Sequence, residues 1–151
     1  MKVGENELLE LLNSAPIVDG ELVETLDDPG WRELRDDLRS VIRGESRPES
    51  LQRYLEGVMQ HPRVDNGGIS WTLEAPESTV PYALYVLAWS TVEMELPGRL
   101  RACANDECSK FLIDHSKPNS ARWCSMAECG NRMKTRRHHA RQLSAAADGR
   151  G

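Results

Sequence analysis

The chain has 151 residues, a net charge of -5 and a sequence pI near 5.4. Hydrophobic side chains at 39% and a mean hydropathy of -0.56 suffice for one small core, and the absence of a run of about 18 apolar residues excludes a membrane-spanning helix. Residues 1–98 carry 8 Lys/Arg against 19 Asp/Glu, a balance of -11, while residues 99–151 carry 11 against 5, a balance of +6. That asymmetry marks two units with different electrostatic tasks, with chance clustering on solvated surfaces as the simpler alternative.

The opening, MKVGENELLELLNS, is acidic and lacks the charged-then-apolar layout of a signal peptide, so a cytoplasmic location with reduced thiols is expected. Glu5 to Asn13 reads as a short amphipathic helix, and Gly20 to Leu26 as a helical turn at best. Asp28-Pro29 is a cap followed by proline at the first helical position. Behind it Trp31, Leu34, Leu38, Val41 and Ile42 recur at helical spacing as far as Gly44. Ser46 and Glu49 suggest a capping box for a further helix with Leu51, Tyr54, Leu55, Val58 and Met59 on its apolar face, stopping at His61-Pro62. Asn66-Gly67-Gly68 predicts a hairpin turn, with Ile69, Trp71 and Leu73 alternating on the strand that follows. Val80 to Met94 is apolar nearly all round and predicts a central buried helix, closed by Pro97-Gly98 at a boundary between units.

No His-Glu-x-x-His, phosphate-binding glycine loop or nucleophile motif occurs in this first part, and His61 before a proline reads as a surface residue. A small-effector pocket there has no sequence support. The expectation is a protein without enzymatic activity.

All four cysteines lie in the second part, as Cys103-x4-Cys108, fifteen intervening residues, then Cys124-x4-Cys129. Paired short spacings suit four thiolates around one structural Zn2+, and four sulfur ligands leave no open position for catalysis. Two disulfides are the rival reading, which a reducing compartment disfavours. Asn105 and Asp106 favour a tight turn inside the first pair, Lys110 to Ile113 reads as a short strand, and HSKPNSA as an exposed loop. Residues five apart on a regular helix point about 140° apart, so Cys124 is expected just before the first turn and Cys129 within it. Knuckle, hairpin and ligand-bearing helix together predict a treble-clef-like finger, with Trp123 and Met133 packed beside the metal.

RLRACANDEC, FLIDHS and RWCSMAECGNR resemble the CGNR zinc finger family, whose tetrapeptide stands here as Cys129-Gly130-Asn131-Arg132. The resemblance covers residues 99–141 and implies Cys103, Cys108, Cys124 and Cys129 as the ligands of one structural zinc. Upstream, GGISWTLEAP and the long apolar helix are similar to the helix-rich ABATE domain that commonly precedes this finger. Members are bacterial and regarded as stress-induced transcription regulators. The opening is shorter than the apolar segment with which ABATE domains begin, so an N-terminal core that is reduced, rearranged or completed by a partner is expected.

From Gly130 to Leu143, at about 100° per residue, Cys129, Met133 and Ala140 are expected to face the zinc and core. Arg132, Arg136 and His139 form one flanking row, Lys134, Arg137 and Arg141 the other, with Asn131, Thr135, His138 and Gln142 between them. Cationic rows beside a hydrogen-bonding face suit DNA, the cations meeting phosphates and the amides reaching base edges. The plainer alternative is a solvated helix offsetting the -2 of a four-thiolate zinc site. Arg132, next to Cys129, is the candidate for bracing the thiolates instead. RNA is a lesser option, because only Phe111 and Trp123 are available for stacking.

The sequence therefore predicts an α+β protein: a helical, ABATE-like domain with a hairpin over 1–98, a zinc finger ending in a basic helix over 99–143, and a disordered tail over 144–151. The expected function is DNA-bound transcription regulation, with a homodimer through the N-terminal domain supplying enough contacts. The rival is a zinc-stapled module docking on an acidic protein, such as part of the transcription machinery, without touching DNA.

Overall fold

A computed structural model describes residues 2–149. The first helix, α1 (Glu5–Leu12), starts behind Gly4, whose N–H donates to the Glu7 carboxylate at 3.0 Å. Its Leu8, Leu11 and Leu12 are buried. The strands β1 (Ile17–Val18) and β2 (Glu21–Leu22) then form a tight hairpin around Asp19-Gly20, both in left-handed conformation (φ 51° and 81°). The helical turn expected over Gly20–Leu26 is thus replaced by a hairpin. An Asp-Gly pair can occupy both central positions of a type I′ turn, which favours two-residue hairpins.

The helix α2 (Pro29–Ile42) begins as its sequence predicts, with the Asp28 carboxylate accepting from the Trp31 N–H at 3.1 Å. It buries Leu34, Leu38 and Val41 together with two arginines. Arg35 donates to both oxygens of Glu24, at 2.6 and 2.8 Å. Arg39 donates to the Leu12 carbonyl at 2.8 Å, and burial pulls its guanidinium down to about 10.

The next segment departs from the sequence reading. Pro48–Leu55 is a 3₁₀ helix starting at Arg47 without a side-chain cap, so the Ser46–Glu49 box does not form. Gly57 (φ 72°) turns the chain outward, and Met59 opens a strand, β3 (Met59–Asp65), in place of closing a helix. His61-Pro62, expected as a helix stop, lies within that strand. The partner strand, β4 (Gly68–Glu74), follows a two-residue Asn66-Gly67 turn, as the glycines predict. The Asp65 carboxylate accepts from the Gly67 N–H at 2.9 Å and fixes that turn.

The helix α3 (Val80–Glu95) buries Ala83, Val86, Ala88 and Val92. Its other apolar residues are half-buried, and Met94 is exposed, so it is less enclosed than its composition suggests. Trp31 of α2 packs on the Tyr82 and Tyr85 rings of α3, with centroids 4.8 and 5.2 Å away. Among the described residues, no helix is long and apolar enough to cross a membrane.

The strands β5 (Leu100–Ala102) and β6 (Phe111–Ile113) pair antiparallel. Leu100 and Phe111 belong to the same core as Leu8, Leu12, Leu34 and Leu38. The side chain of Asn13, which caps α1, holds the backbone of Phe111 at both ends, accepting from its N–H at 2.7 Å and donating to its carbonyl at 3.2 Å. Ser109 donates to the Ala15 carbonyl at 2.7 Å, and the guanidiniums of Arg39 and Arg43 lie over the Phe111 ring. One continuous hydrophobic core therefore runs through the helices and the cysteine-bearing hairpin. A π-turn, Met126–Gly130, leads into the last helix, α4 (Asn131–Asp148). Residues 144–148 are helical where the sequence suggests a disordered tail, and residues 150–151 of that tail lie outside the described residues. Alanine is the strongest helix former, and Ala145, Ala146 and Ala147 extend the helix past Leu143.

Candidate metal centre and basic helix

The turn between β5 and β6 presents the first cysteine pair. The Cys103 N–H donates to the Lys110 carbonyl at 2.9 Å, which closes the turn. Inside it, the Asn105 side chain accepts from the Glu107 N–H at 3.1 Å while its carbonyl accepts from the Cys108 N–H at 2.9 Å. The second pair is set by the π-turn. Ser125 caps it by accepting from the Glu128 N–H at 3.1 Å, and the Gly130 N–H reaches back to the Ser125 carbonyl at 2.9 Å, an i→i+5 bond. Cys124 lies just before this turn and Cys129 inside it, as the spacing predicts. Widening the turn by one residue lets two side chains five apart converge, which a regular α-helix would not allow.

The four sulfurs lie within 4.8 Å of one another, and Cys124 Sγ is 3.8 Å from Cys108 Sγ and 3.6 Å from Cys129 Sγ. Zn–S bonds of about 2.3 Å in a tetrahedron give S–S edges of about 3.8 Å. A disulfide needs about 2.05 Å, so all four are free thiols and the rival disulfide reading falls. Zinc fits this cage.

N–H donors already face the sulfurs. Asn105 Nδ2 lies 3.4 Å from Cys129 Sγ, the Lys110 N–H 3.4 Å from Cys108 Sγ, and the Cys124 N–H 3.3 Å from Cys103 Sγ. Each stabilises negative charge on the sulfur it meets. The sequence identifies Asn105 as a turn former only, yet it is buried and bridges the two pairs. Its signal was its place between two ligands, where a side chain has only sulfur and backbone to meet. Without a cation, burial pushes the Cys108 thiol up to about 11 and Cys124 higher still. Against the burial of Cys129, the bonds from Asn105 and the neighbouring thiols bring its value down. A divalent ion makes thiolates of all four, at the expense of releasing protons.

Gly130 has a steric role. A Cβ there would lie 2.5 Å from Met126 Sδ and 3.3 Å from Trp123 Cδ1. Trp123 is half-buried against this turn, with the Arg122 guanidinium 5.1 Å from its ring centre, and Met133 is also half-buried. Trp123 thus packs against the zinc turn as expected.

Beyond Met133 the helix leaves the body of the protein. No residue of α4 is buried, and Ala140, expected to face the core, is exposed. Among the described elements, the extensive contacts of α4 are with the π-turn at its start, so no element covers its later turns. Asn131, Arg132, Lys134, Thr135, Arg136, Arg137, His138, Arg141 and Gln142 are all exposed. Local bonds engage some of them: Thr135 donates to the Asn131 carbonyl at 3.0 Å, and Gln142 and His138 are 3.1 Å apart. Arg136 forms an ion pair with Glu107 of the knuckle, which anchors the helix to the metal turn. Among the described residues, Arg132, Lys134, Arg137 and Arg141 have no ion-pair partner. Arg132 lines a cleft of about 580 Å³ between β1–β2 and the sulfurs, with Lys110 and Glu128 nearby. The hydrogen bonds to the sulfurs from outside the cysteine side chains come from Asn105 and backbone amides among the described residues, while Arg132 shares the cleft with Cys108 and Cys129.

Residues 99–142 match the family model of the CGNR zinc finger. No curated protein matches the chain. With four cysteines at metal-binding distance inside that match, the segment holds one structural zinc.

Proposed function

We propose that this chain, whose residues 99–142 are a CGNR zinc finger, is a DNA-binding transcription regulator of a bacterial cytoplasm without enzymatic activity, acting as paired copies. The observation that carries the reading is α4. It is an 18-residue helix with no buried residue, anchored at one end by the zinc turn, and it presents Arg132, Lys134, Arg137 and Arg141 to solvent. A helix about 10–12 Å across fits a major groove about 12 Å wide. One such helix makes few contacts, and specific sites generally need dimers or several modules. Two copies would supply a second helix and a second set of cations. Zinc here is structural: it fixes the turn from which α4 projects.

A second reading draws on the Arg136–Glu107 ion pair, in which α4 already accepts a carboxylate. An acidic protein surface, for instance on the transcription machinery, would offer the same chemistry. Binding of zinc-loaded protein to a random duplex pool over a salt series separates the two. On DNA, each phosphate contact contributes about -0.9 to the slope of log K against log salt, so Lys134→Ala with Arg137→Ala should flatten the slope by nearly two such steps. Asn131→Ala and Gln142→Ala should shift sequence preference and leave the slope intact. Unchanged affinity of the Lys134→Ala, Arg137→Ala variant for every nucleic acid tested would refute the DNA reading.

A further inference from the structure

The ribbon β3–β4 has two faces of opposite character. Its register places Val64 beside Ile69, Pro62 beside Trp71 and Gln60 beside Leu73 on one face. The other face holds polar pairs such as Arg63 with Ser70, and a His61–Glu74 bond of 2.8 Å. The first face carries no charge, yet Val64, Ile69 and Trp71 are 86%, 67% and 62% exposed. Alternation of this kind normally buries the apolar side. Here the extensive contacts of both strands are with each other. A two-stranded hairpin alone is marginal in water, and three or more strands with a hydrophobic face are needed for stability.

The edges show where further strands can add. The pair Asp65–Gly68, which closes the two-residue turn, is hydrogen-bonded, and the bonding alternates from there. The amides and carbonyls of Ile69, Trp71 and Leu73 therefore point away from β3, along the free edge of β4. The matching outward positions on β3 are Gln60, Pro62 and Val64, and Pro62 has no N–H to offer. The β3 edge is blocked at its centre. The β4 edge is open.

The side chains of β4 are symmetric in polarity about Trp71 over its inner positions: Ile69 mirrors Leu73 and Ser70 mirrors Thr72, while Glu74 mirrors the uncharged Gly68. We propose that β4 pairs antiparallel with β4 of a second copy about Trp71, joining two ribbons into a four-stranded sheet. Each Trp71 then exchanges backbone bonds with its counterpart, Ile69 lies beside the partner's Leu73, and Ser70 beside the partner's Thr72. The one charged side chain of β4, Glu74, falls opposite the partner's Gly68, so no like charges meet. The apolar faces become continuous across all four strands. A foreign strand could meet the same edge, but this symmetry and the absence of opposed charges favour a second copy.

The inference rests on the paired-copy part of the proposed function and is tested without nucleic acid, so that either can fail alone. Sedimentation equilibrium of the full zinc-loaded chain is expected to give twice the 17.0 kDa chain mass. Trp71→Lys brings two ammonium groups together at the two-fold and should weaken the dimer about a hundredfold or more, since opposed like charges are costly across an interface. Ile69→Pro removes one outward N–H without breaking a bond to β3 and should also give the single-chain mass. Val64→Lys alters the same face away from the β4 edge and should leave the dimer intact. In the unaltered protein, the amides of Ile69, Trp71 and Leu73 should gain exchange protection as concentration rises. A single-chain mass at every concentration overturns the proposal. So does a dimer that survives Trp71→Lys and Ile69→Pro, or one that Val64→Lys disrupts as strongly as Trp71→Lys.

Discussion

The hairpin β5–β6 has three residues per strand and lies in the core, whereas β3–β4 has seven and stands in solvent. Length and clean alternation favour the longer hairpin, yet the shorter one is better held. Three separate supports act on it. Phe111 and Leu100 enter the helical core, Asn13 satisfies the outer backbone of Phe111, and the cysteines bind its turn into the zinc cage. Among the described residues, the long ribbon has its own ladder, the His61–Glu74 bond and the Asp65–Gly67 turn bond. A strand's stability therefore depends less on its own pattern than on what covers it.

Removing the metal should affect this contrast most. Structural zinc contributes about 10–16 kcal/mol of apparent binding in small modules. Cys108→Ser or Cys124→Ser should abolish zinc in elemental analysis and unfold β5–β6 and the π-turn, while amide resonances of β3–β4 move little. Because Phe111 links the finger to the helices, loss of zinc should also lower the thermal midpoint of the helical part. If the helical part melts unchanged without zinc, the shared core has been overvalued. Metal affinity should fall as pH is lowered, since zinc must displace protons from thiols whose values burial raises.

A matched pair of truncations comes next. Phe111→Ala, at a fully buried site, should cost about 3–5 kcal/mol in urea unfolding. Trp71→Ala in the ribbon should change single-chain stability by no more than about 0.5 kcal/mol, because an exposed ring loses little packing. Equal costs for the two would erase the difference between the hairpins.

Asp114 offers a smaller, pH-dependent test. It follows β6, is buried, and bonds to Arg101 of β5 at 2.6 Å and to the N–H groups of Ser116 and Ala121. Hydrogen bonding from Ser116, then Ala121 and the Arg101 charge, hold its carboxyl down from 3.8 to about 2. A depressed carboxyl stabilises the fold above its unfolded value, and that contribution disappears as pH falls from 3.8 towards 2. Asp114→Asn should lower the urea midpoint at neutral pH and remove this part of the acid sensitivity. An Asp114→Asn variant with the parent's acid profile would show that the bonds contribute nothing.

Gly130→Ala tests the packing of the zinc turn and should have a modest effect. The new methyl collides with Met126 Sδ, but Met126 is a flexible side chain at the surface, so the cost should be near the low end of overpacking, about 1 kcal/mol. Adding Met126→Ala should recover most of it. Failure to recover would place the strain on Trp123 instead.

Much of this molecule is legible in its residues. The Asp28-Pro29 start of α2, the Asn66-Gly67 turn, the paired cysteines and the cationic last helix all follow from local rules: capping geometry, turn conformation, ligand chemistry and charge. What failed was also local in origin. The sequence suggests a helical turn where the Asp19-Gly20 hairpin forms, because the short strands beside it carry almost no periodic signal. The apolar spacing of the segment after Pro48 fits an α-helix as well as the 3₁₀ helix that forms. Three features belonged to the tertiary structure alone. Ala140 has helical spacing towards the core, but α4 packs on the π-turn at its start and leaves Ala140 in solvent. Asn105 becomes a sulfur donor only when folding brings Cys129 to its amide. Asn13 ends a helix by its sequence and completes a strand by its position, because a contact across 98 residues is set by packing and carries no signal in either neighbourhood.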